Sequence, residues 1–151
     1  MSEHHAGLRW QRTSDTFTYD AYNRAHEVTY KSGDIVVPSS AAPAFKGDAD
    51  RVDPEEAFVA SLASCHMLTF LAICARKRLT VDSYEDDAVG TLAKNAKGKL
   101  AITHVTLRPR ILFAPGIQVD ERTLTDIHRL SHDECFIANS VNTEVAVAQQ
   151  A

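Results

Sequence analysis

One apolar stretch decides the fold, and residues 53–78 read DPEEAFVASLASCHMLTFLAICARKR. Asp53 suits a helix N-cap, Pro54 the first helical position and Glu56 the third, which together form a capping box. The basic run at residues 76–78 favours the negative end of the helix dipole. Because the residues between these ends leave almost no polar stripe, the sequence predicts a long central helix that is buried on several sides.

The segment before this helix has the alternation that is typical of strands. Residues 16–21 alternate polar and apolar side chains, which predicts a strand. Residues 26–30 and 35–37 flank the turn sequence Lys-Ser-Gly-Asp and predict a hairpin. Residues 38–50 are rich in Pro, Ser, Ala and Gly and predict a loop.

The segment after the helix predicts two long strands at residues 82–93 and 100–113. A second helix follows at residues 120–135, and residues 143–148 form a closing strand. The order strands, helix, strands, helix, strand predicts an α+β fold with an antiparallel sheet. No repeat and no linker interrupts the pattern, so we predict a single domain over residues 1–151.

Composition narrows the class of protein. The 151 residues are 44% hydrophobic and 24% charged, with a formal net charge of -4, values typical of a globular domain. This negative charge disfavours nucleic acid as a partner and gives no attraction to an anionic membrane. Residues 1–5 lack the features of a secretory signal, and polar side chains break the apolar stretch at residues 57–75, so we expect a cytoplasmic protein.

Three cysteines are the first candidates for chemistry: Cys65, Cys74 and Cys135. An odd number without a secretory signal argues against a structural disulfide framework. Cys65 and Cys74 lie on opposite faces of the predicted helix, about 13–14 Å apart, and cannot bond to each other. We interpret Cys74 as a core residue. Cys65 is either a second small core side chain or a reactive thiol.

Cys135 ends the second predicted helix. His128, Ser131 and His132 precede it at spacings of seven, four and three residues, which places them on its face of a helix. Two interpretations stay open. Cys135 is either a helix-terminal side chain packed against the sheet or a thiol with polar neighbours at the edge of the core.

Three short motifs, in a fixed order along the chain, resemble those of a known protein family. Residues 53–56 read Asp-Pro-Glu-Glu, residues 63–66 read Ala-Ser-Cys-His and residues 132–140 read His-Asp-Glu-Cys-Phe-Ile-Ala-Asn-Ser. In this order and spacing they resemble the OsmC/Ohr family of peroxide-reducing proteins, and the general OsmC-like branch most closely. The resemblance covers essentially the whole chain. It implies an OsmC-like fold with a long central helix and an intertwined homodimer.

The resemblance also implies roles for individual residues. Cys65 matches the peroxidatic cysteine and Cys135 the resolving cysteine. Glu55 matches the family's glutamate, which pairs with an arginine near the peroxidatic sulfur. Helix-dipole complementation is the simpler explanation of Glu55 and stays open.

The arginine is the least determined member of this set. We choose Arg24 from its spacing to Glu55, with Arg9 and Arg12 as the other candidates and a solvated strand charge as the alternative for Arg24. Glu55 and Cys65 lie ten residues apart on one predicted helix, which is about 15 Å along its axis. We therefore expect Glu55 and Arg24 to reach Cys65 from the partner subunit of a two-fold dimer.

The resulting prediction is a thiol-dependent peroxidase that reduces organic hydroperoxides, with hydrogen peroxide as a second candidate substrate. It needs no metal and no organic cofactor, and the resemblance suggests a lipoylated protein or a small thiol as the dithiol reductant. One alternative is a zinc site. Its ligands would be Cys65, His66, His132 and Cys135, although adjacent helical residues point about 100° apart. The other alternative is a non-catalytic ligand-binding module on the same fold.

Overall fold

The computed structural model describes residues 1–148. It has the order strands, long helix, strands, helix and closing strand, which confirms the predicted α+β arrangement. The chain divides into two compact units, Met1–Ala57 and a second that begins at Phe58. The single domain over residues 1–151 stays a prediction, and its last three residues lie outside the described part.

The first unit contains a three-stranded antiparallel sheet with the strand order β1-β2-β3. Its strands are β1 (Gly7–Arg9), β2 (His26–Tyr30) and β3 (Ile35–Ser39). Strands β2 and β3 form the predicted hairpin, and three consecutive positive φ angles at residues 31–33 make its turn. Strand β1 was not apparent from the sequence because it is only three residues long.

The strand predicted at residues 16–21 is wrong. This segment turns back on itself, and the amides of Ala21 and Tyr22 both donate to the carbonyl oxygen of Thr18. The ring of Phe17 packs against Tyr22 with a centroid distance of 5.5 Å. Local aromatic contacts therefore account for the alternation that suggested a strand.

The long helix, α1 (Pro54–Arg76), begins and ends as its sequence requires. The capping box forms in both directions: Asp53 Oδ1 accepts the N–H of Glu56 at 2.8 Å, and Glu56 Oε2 accepts the N–H of Asp53 at 3.0 Å. At the other end the N–H of Leu79 bonds to the carbonyl oxygen of Cys74, and Arg78 has a φ of 59°. This is a Schellman motif.

Only one face of α1 is fully buried in the single chain. The buried residues recur every four positions and are Leu62, His66, Phe70 and Cys74. On the other side Leu68 is 60% exposed, and small residues at positions 60, 64 and 72 are exposed with it. In the single chain the predicted central helix is therefore fully buried along one face and partly buried or exposed along the others. Helix α1 also has the length and composition of a membrane span, a test that core helices of soluble proteins pass as well.

The second unit adds five strands and the second helix. The strands are β4 (Val81–Asp86), β5 (Val89–Lys94), β6 (Leu100–Leu107), β7 (Pro109–Phe113) and β8 (Glu144–Val147). The two predicted long strands are each broken in two, because β4 pairs with β7 while β5 pairs with β6. Strand β8 confirms the predicted closing strand, but it runs parallel to β6 whereas the other strand pairs are antiparallel.

Helix α1 packs on the strands of this unit through two apolar clusters. One is centred on Leu62 and Val105, the other on Phe70 and Ile127. Gly90 of β5 permits a close approach, since a Cβ atom there would lie 2.4 Å from Val59 Cγ2. The absence of a side chain at this position lets the helix lie against the strand.

The second helix, α2 (Glu121–Asp133), begins at an N-cap, Asp120, whose Oδ1 accepts the N–H of Thr123 at 2.7 Å. This hydrogen bond lowers the pKa of the Asp120 carboxyl. The helix buries Ile127 and Ser131. It ends two residues earlier than predicted, so Cys135 lies in the turn that follows.

Candidate active site

Cys65 is the more accessible of the two motif cysteines. It lies in the middle of α1, where its side chain is half-buried. Its carbonyl oxygen accepts both the helical hydrogen bond and one from Thr69 Oγ1 at 2.9 Å. The helix therefore fixes the position of a thiol whose residue is only partly buried.

Cys135 lies in a tight turn that buries it almost completely, with 1% of its surface exposed. Its Sγ accepts the backbone N–H of Ala138 at 3.4 Å. The Asn139 amide donates to the carbonyl oxygens of Asp133 and Cys135 and so closes the turn over the thiol. The helix face proposed for Cys135 does not exist, because Glu134 caps the helix.

The structure brings Cys65 and Cys135 together. The two thiols are close enough to hydrogen bond, and both are free. Burial, followed by the hydrogen bond from Cys65, raises the pKa of the Cys135 thiol, while the N–H groups of Ala138 and Ile137 oppose this. The buried Cys135 thiol is therefore held protonated beside the less buried thiol of Cys65.

A pair of histidines also joins α1 to α2. His66 Nε2 and His128 Nδ1 are 3.0 Å apart, and the two rings stack with a centroid distance of 5.3 Å. Burial and the neighbouring imidazoles of His128 and His132 lower the pKa of His66 to about 4. Burial lowers the pKa of His128 to about 4 as well. Both rings are therefore neutral near pH 7.

The histidine pair was missed by the sequence analysis, which considered His66 only as a metal ligand. The contact joins residues 62 positions apart, so no local pattern points to it. His66 is 1% exposed, and its Nδ1 has no hydrogen-bond partner within residues 1–148. A buried, unpaired ring nitrogen of this kind costs about 1–3 kcal/mol and calls for an explanation.

The zinc alternative receives no support from the geometry. Within the described residues there is no group of three or more His, Cys, Asp or Glu side chains that could hold a metal ion. Of the four residues named for zinc, Cys65 and Cys135 form a thiol pair, and His66 contacts His128 instead of His132.

Arg24 lies in the first unit, ahead of β2, and is only 9% exposed. The interpretation of Arg24 as a solvated strand charge is therefore wrong. Its guanidinium stacks on the ring of Tyr22 at 3.7 Å and donates hydrogen bonds to the carbonyl oxygens of Tyr22 and Tyr19. These contacts hold a permanent positive charge in a fixed orientation.

Glu55 lies in the first turn of α1, and its Oε2 is buried without a hydrogen-bond partner in the described chain. Between residues 1 and 148 no ion pair joins it to Arg24. The other candidate arginines are occupied elsewhere. Arg9 pairs with Glu27 at 3.0 Å, and Arg12 donates to the carbonyl oxygens of Ser14 and Asp15.

Comparison with known proteins places this arrangement in a family. Residues 47–149 match the family of OsmC-like proteins. An OsmC-like protein of unknown function from Vibrio cholerae is 46% identical, with a TM-score of 0.92 over 98% of this chain and 99% of that one. The uncharacterized protein YmaD from Bacillus subtilis is 21% identical over 132 residues, which is 85% of this chain and 86% of that protein.

More distant structures share the fold. The organic hydroperoxide resistance protein OhrB of Bacillus subtilis is 18% identical, with a TM-score of 0.70 over 99% of this chain and 98% of that chain. An organic hydroperoxide resistance protein from Legionella pneumophila is 13% identical, with a TM-score of 0.70 and the same coverage.

Proposed function

The chain belongs to the OsmC-like protein family, and we propose that it is a thiol-dependent peroxidase that reduces organic hydroperoxides through Cys65 and Cys135. One observation carries the proposal: two free thiols lie within hydrogen-bonding reach of each other, one half-exposed and one buried. The names of the hydroperoxide resistance proteins that share the fold are consistent with this chemistry.

The reaction begins at Cys65. Its thiolate attacks the outer oxygen of the hydroperoxide, the O–O bond breaks, and the leaving alkoxide takes a proton to become an alcohol. Cys65 is then a sulfenic acid. The Cys135 thiol loses its proton and attacks that sulfur, which forms a disulfide and releases water. In sum, two thiols and one hydroperoxide give a disulfide, an alcohol and water.

A positive charge beside Cys65 would favour its thiolate. We assign this role to Arg24, oriented by Glu55, on the family resemblance. The buried and unpartnered Glu55 Oε2 is the kind of acceptor that a guanidinium satisfies well. Ten helical residues separate Glu55 from Cys65, about 15 Å along α1, so in this proposal the charged pair comes from the partner subunit.

The exposed side of α1 supports such a dimer. An apolar helix face that includes Leu68, 60% exposed, and small residues at positions 60, 64 and 72 allows close approach of a second helix. We propose a homodimer in which a second copy of the chain covers this face. A monomer that keeps full peroxidase activity at micromolar concentration would refute it.

Turnover needs an external reductant and a compartment where thiols stay reduced. We propose a dithiol reductant, either a lipoylated protein or a small thiol, because a disulfide must be returned to two thiols in each cycle. A cytoplasmic location suits these free thiols.

Thiol counting tests the proposal directly. One equivalent of cumene hydroperoxide should lower the thiol count of the denatured protein from three per chain to one, since Cys74 is buried against Phe70 and Ile127 and takes no part. The matched Cys74→Ala variant should fall from two thiols to none. Retention of all three thiols, with the peroxide unconsumed, would show a non-catalytic module on the same fold.

A further inference from the structure

A cavity of about 270 Å³ lies in the second unit between β7 and α2. Ile111 and Phe113, at alternate positions of β7, form its apolar wall. Glu121, Leu124, Thr125 and His128 lie on one face of α2, at spacings of three, four and seven residues, and form the opposite wall. Pro109, Val147 and Ala148 complete the lining. The cavity is lined by neither Cys65 nor Cys135, and its interior is apolar except at these few positions.

Among the polar residues that line this cavity, His128 lies nearest the core, because its ring also contacts the buried His66. Its Nδ1 is engaged by His66 Nε2, whereas its Nε2 has no partner in the described chain. In a protein interior, an acceptor without a hydrogen-bond partner is less rare than an N–H without one. The preferred tautomer therefore has His66 Nε2–H donating to His128, which leaves His66 Nδ1 as a bare acceptor. His128 then carries its own proton on Nε2 and presents an N–H donor at the cavity.

We propose that this cavity binds a small, neutral, mostly apolar alcohol, with His128 as its hydrogen-bond donor. A cavity of roughly 150 Å³ holds benzene, so this one suits a single ring with a short hydroxyl-bearing substituent. The hydroxyl oxygen accepts from His128 Nε2–H, and the hydroxyl proton is donated to Thr125 Oγ1 or the Glu121 carboxylate. A ketone of the same shape satisfies only the first bond, and the negative charge of Glu121 disfavours a carboxylate ligand.

Calorimetric titration of the full chain with three matched probes tests the ligand class. 2-Phenyl-2-propanol should bind saturably, acetophenone about 5- to 10-fold more weakly because one hydrogen bond is lost, and benzoate not measurably. Equal binding of all three probes, or no saturable binding of the alcohol, would overturn the proposal.

Two tryptophan variants test the location. Thr125→Trp, at the exposed rim of the cavity, should fill it and weaken binding of the alcohol at least tenfold. The control Leu112→Trp lies on the same strand, β7, but is 60% exposed and not part of the cavity lining, and should bind normally. Unchanged binding in Thr125→Trp would place the ligand elsewhere. Cys65→Ser should still bind, so the result is independent of the peroxidase proposal.

Discussion

Helix α1 and the region from α2 to its following turn each contribute one thiol and one imidazole, but the two regions expose opposite members. On α1, Cys65 is half-exposed while His66 is buried. In the α2 region the order reverses, because Cys135 is buried while His128 lines a cavity. Two pairs of side chains thus join α1 to the α2 region, and in each pair one side chain is buried and the other is more accessible.

This difference separates two tasks. Under the proposed function, the less buried Cys65 would meet the hydroperoxide, and the buried Cys135 would be protected until Cys65 is oxidised. In the histidine pair, the closed ring is held neutral in the core and the open ring faces solute. In the two proposals, the thiol pair would carry the covalent chemistry and the histidine pair the ligand recognition.

The largest expected effect is on peroxide turnover, and it should distinguish Cys65 from the buried Cys135. Cys65→Ser should lower cumene hydroperoxide turnover on the order of 10³-fold or more, since a hydroxyl does not replace a thiolate. Cys135→Ser should consume one equivalent and stall at the Cys65 sulfenic acid, which a second equivalent of hydroperoxide then oxidises to the sulfinic acid. Stopped-flow peroxide consumption and intact mass measure both, and Cys74→Ala is the control. An equal loss of turnover in the two serine variants would contradict the assignment of different roles to the two cysteines.

The next prediction concerns the uncovered side of α1. Leu68→Arg should raise the dimer dissociation constant at least about 100-fold, because a charge would enter an apolar interface. Leu100→Arg is a matched control, as Leu100 is also 60% exposed but lies on β6. Sedimentation equilibrium distinguishes them. Dimers that survive in Leu68→Arg, or a wild-type protein that leaves membranes only with detergent, would contradict this use of α1.

A smaller effect follows from the closed histidine. His66 has a pKa of about 4 when folded and about 6.5 when unfolded, so the unfolded chain binds more protons between these values. Stability is full above pH 6.5 and is lost as the pH falls toward 4, by about 2 kcal/mol between pH 7 and pH 5 from this ring alone. Urea unfolding measures it.

The control for this pH effect compares a buried ring with an exposed one. His66→Phe should make the pH dependence of the unfolding free energy less steep, and the remainder comes from His128, whose pKa burial lowers to about 4 as well. His104→Gln, at an exposed position of β6 where the ring pairs with Glu144, should change it much less, because exposed ion pairs contribute little to stability. An identical slope in wild type and His66→Phe would show that His66 is already protonated in the folded state near pH 6.

The smallest effect compares the two helix starts. Asp120→Ala removes the side chain that accepts the N–H of Thr123 at the start of α2 and should lower the unfolding free energy by less than the His66 effect. Glu56→Ala on α1 leaves the Asp53 cap in place and should cost less. Chemical denaturation of both variants checks the order, and the reverse order would mean that the start of α1 depends on the reciprocal bond.

Local chemistry made parts of this structure predictable. The capping box at Asp53, the hairpin at residues 26–39 and the paired cysteines could be inferred because each depends on a short pattern or on family spacing. The breaks at residues 87–88 and at Arg108 could not, since they arise where the chain passes between two sheets. The end of α2 before Cys135 depends on the turn closed by Asn139, which gives no periodic signal.

Burial was harder to predict than secondary structure. The apolar pattern of α1 indicates that its faces must be shielded from water. It does not indicate whether the same chain or a second molecule covers each face. The contact of His66 with His128 required the tertiary arrangement, because neither residue carries a motif for it. Arg24 and Glu55 were chosen from family spacing, and their assignment as site residues stays a prediction.

The missing side chain of Gly90 has a consequence for how this protein can vary. Any larger residue at position 90 would press on Val59. Val59 lies six residues before Cys65 on the same helix, α1. Even an alanine would force the Val59 side chain or α1 itself to move, and a movement of α1 would shift the sulfur of Cys65. Mutational scans should therefore find position 90 as intolerant as a reactive residue, although it touches no reactant.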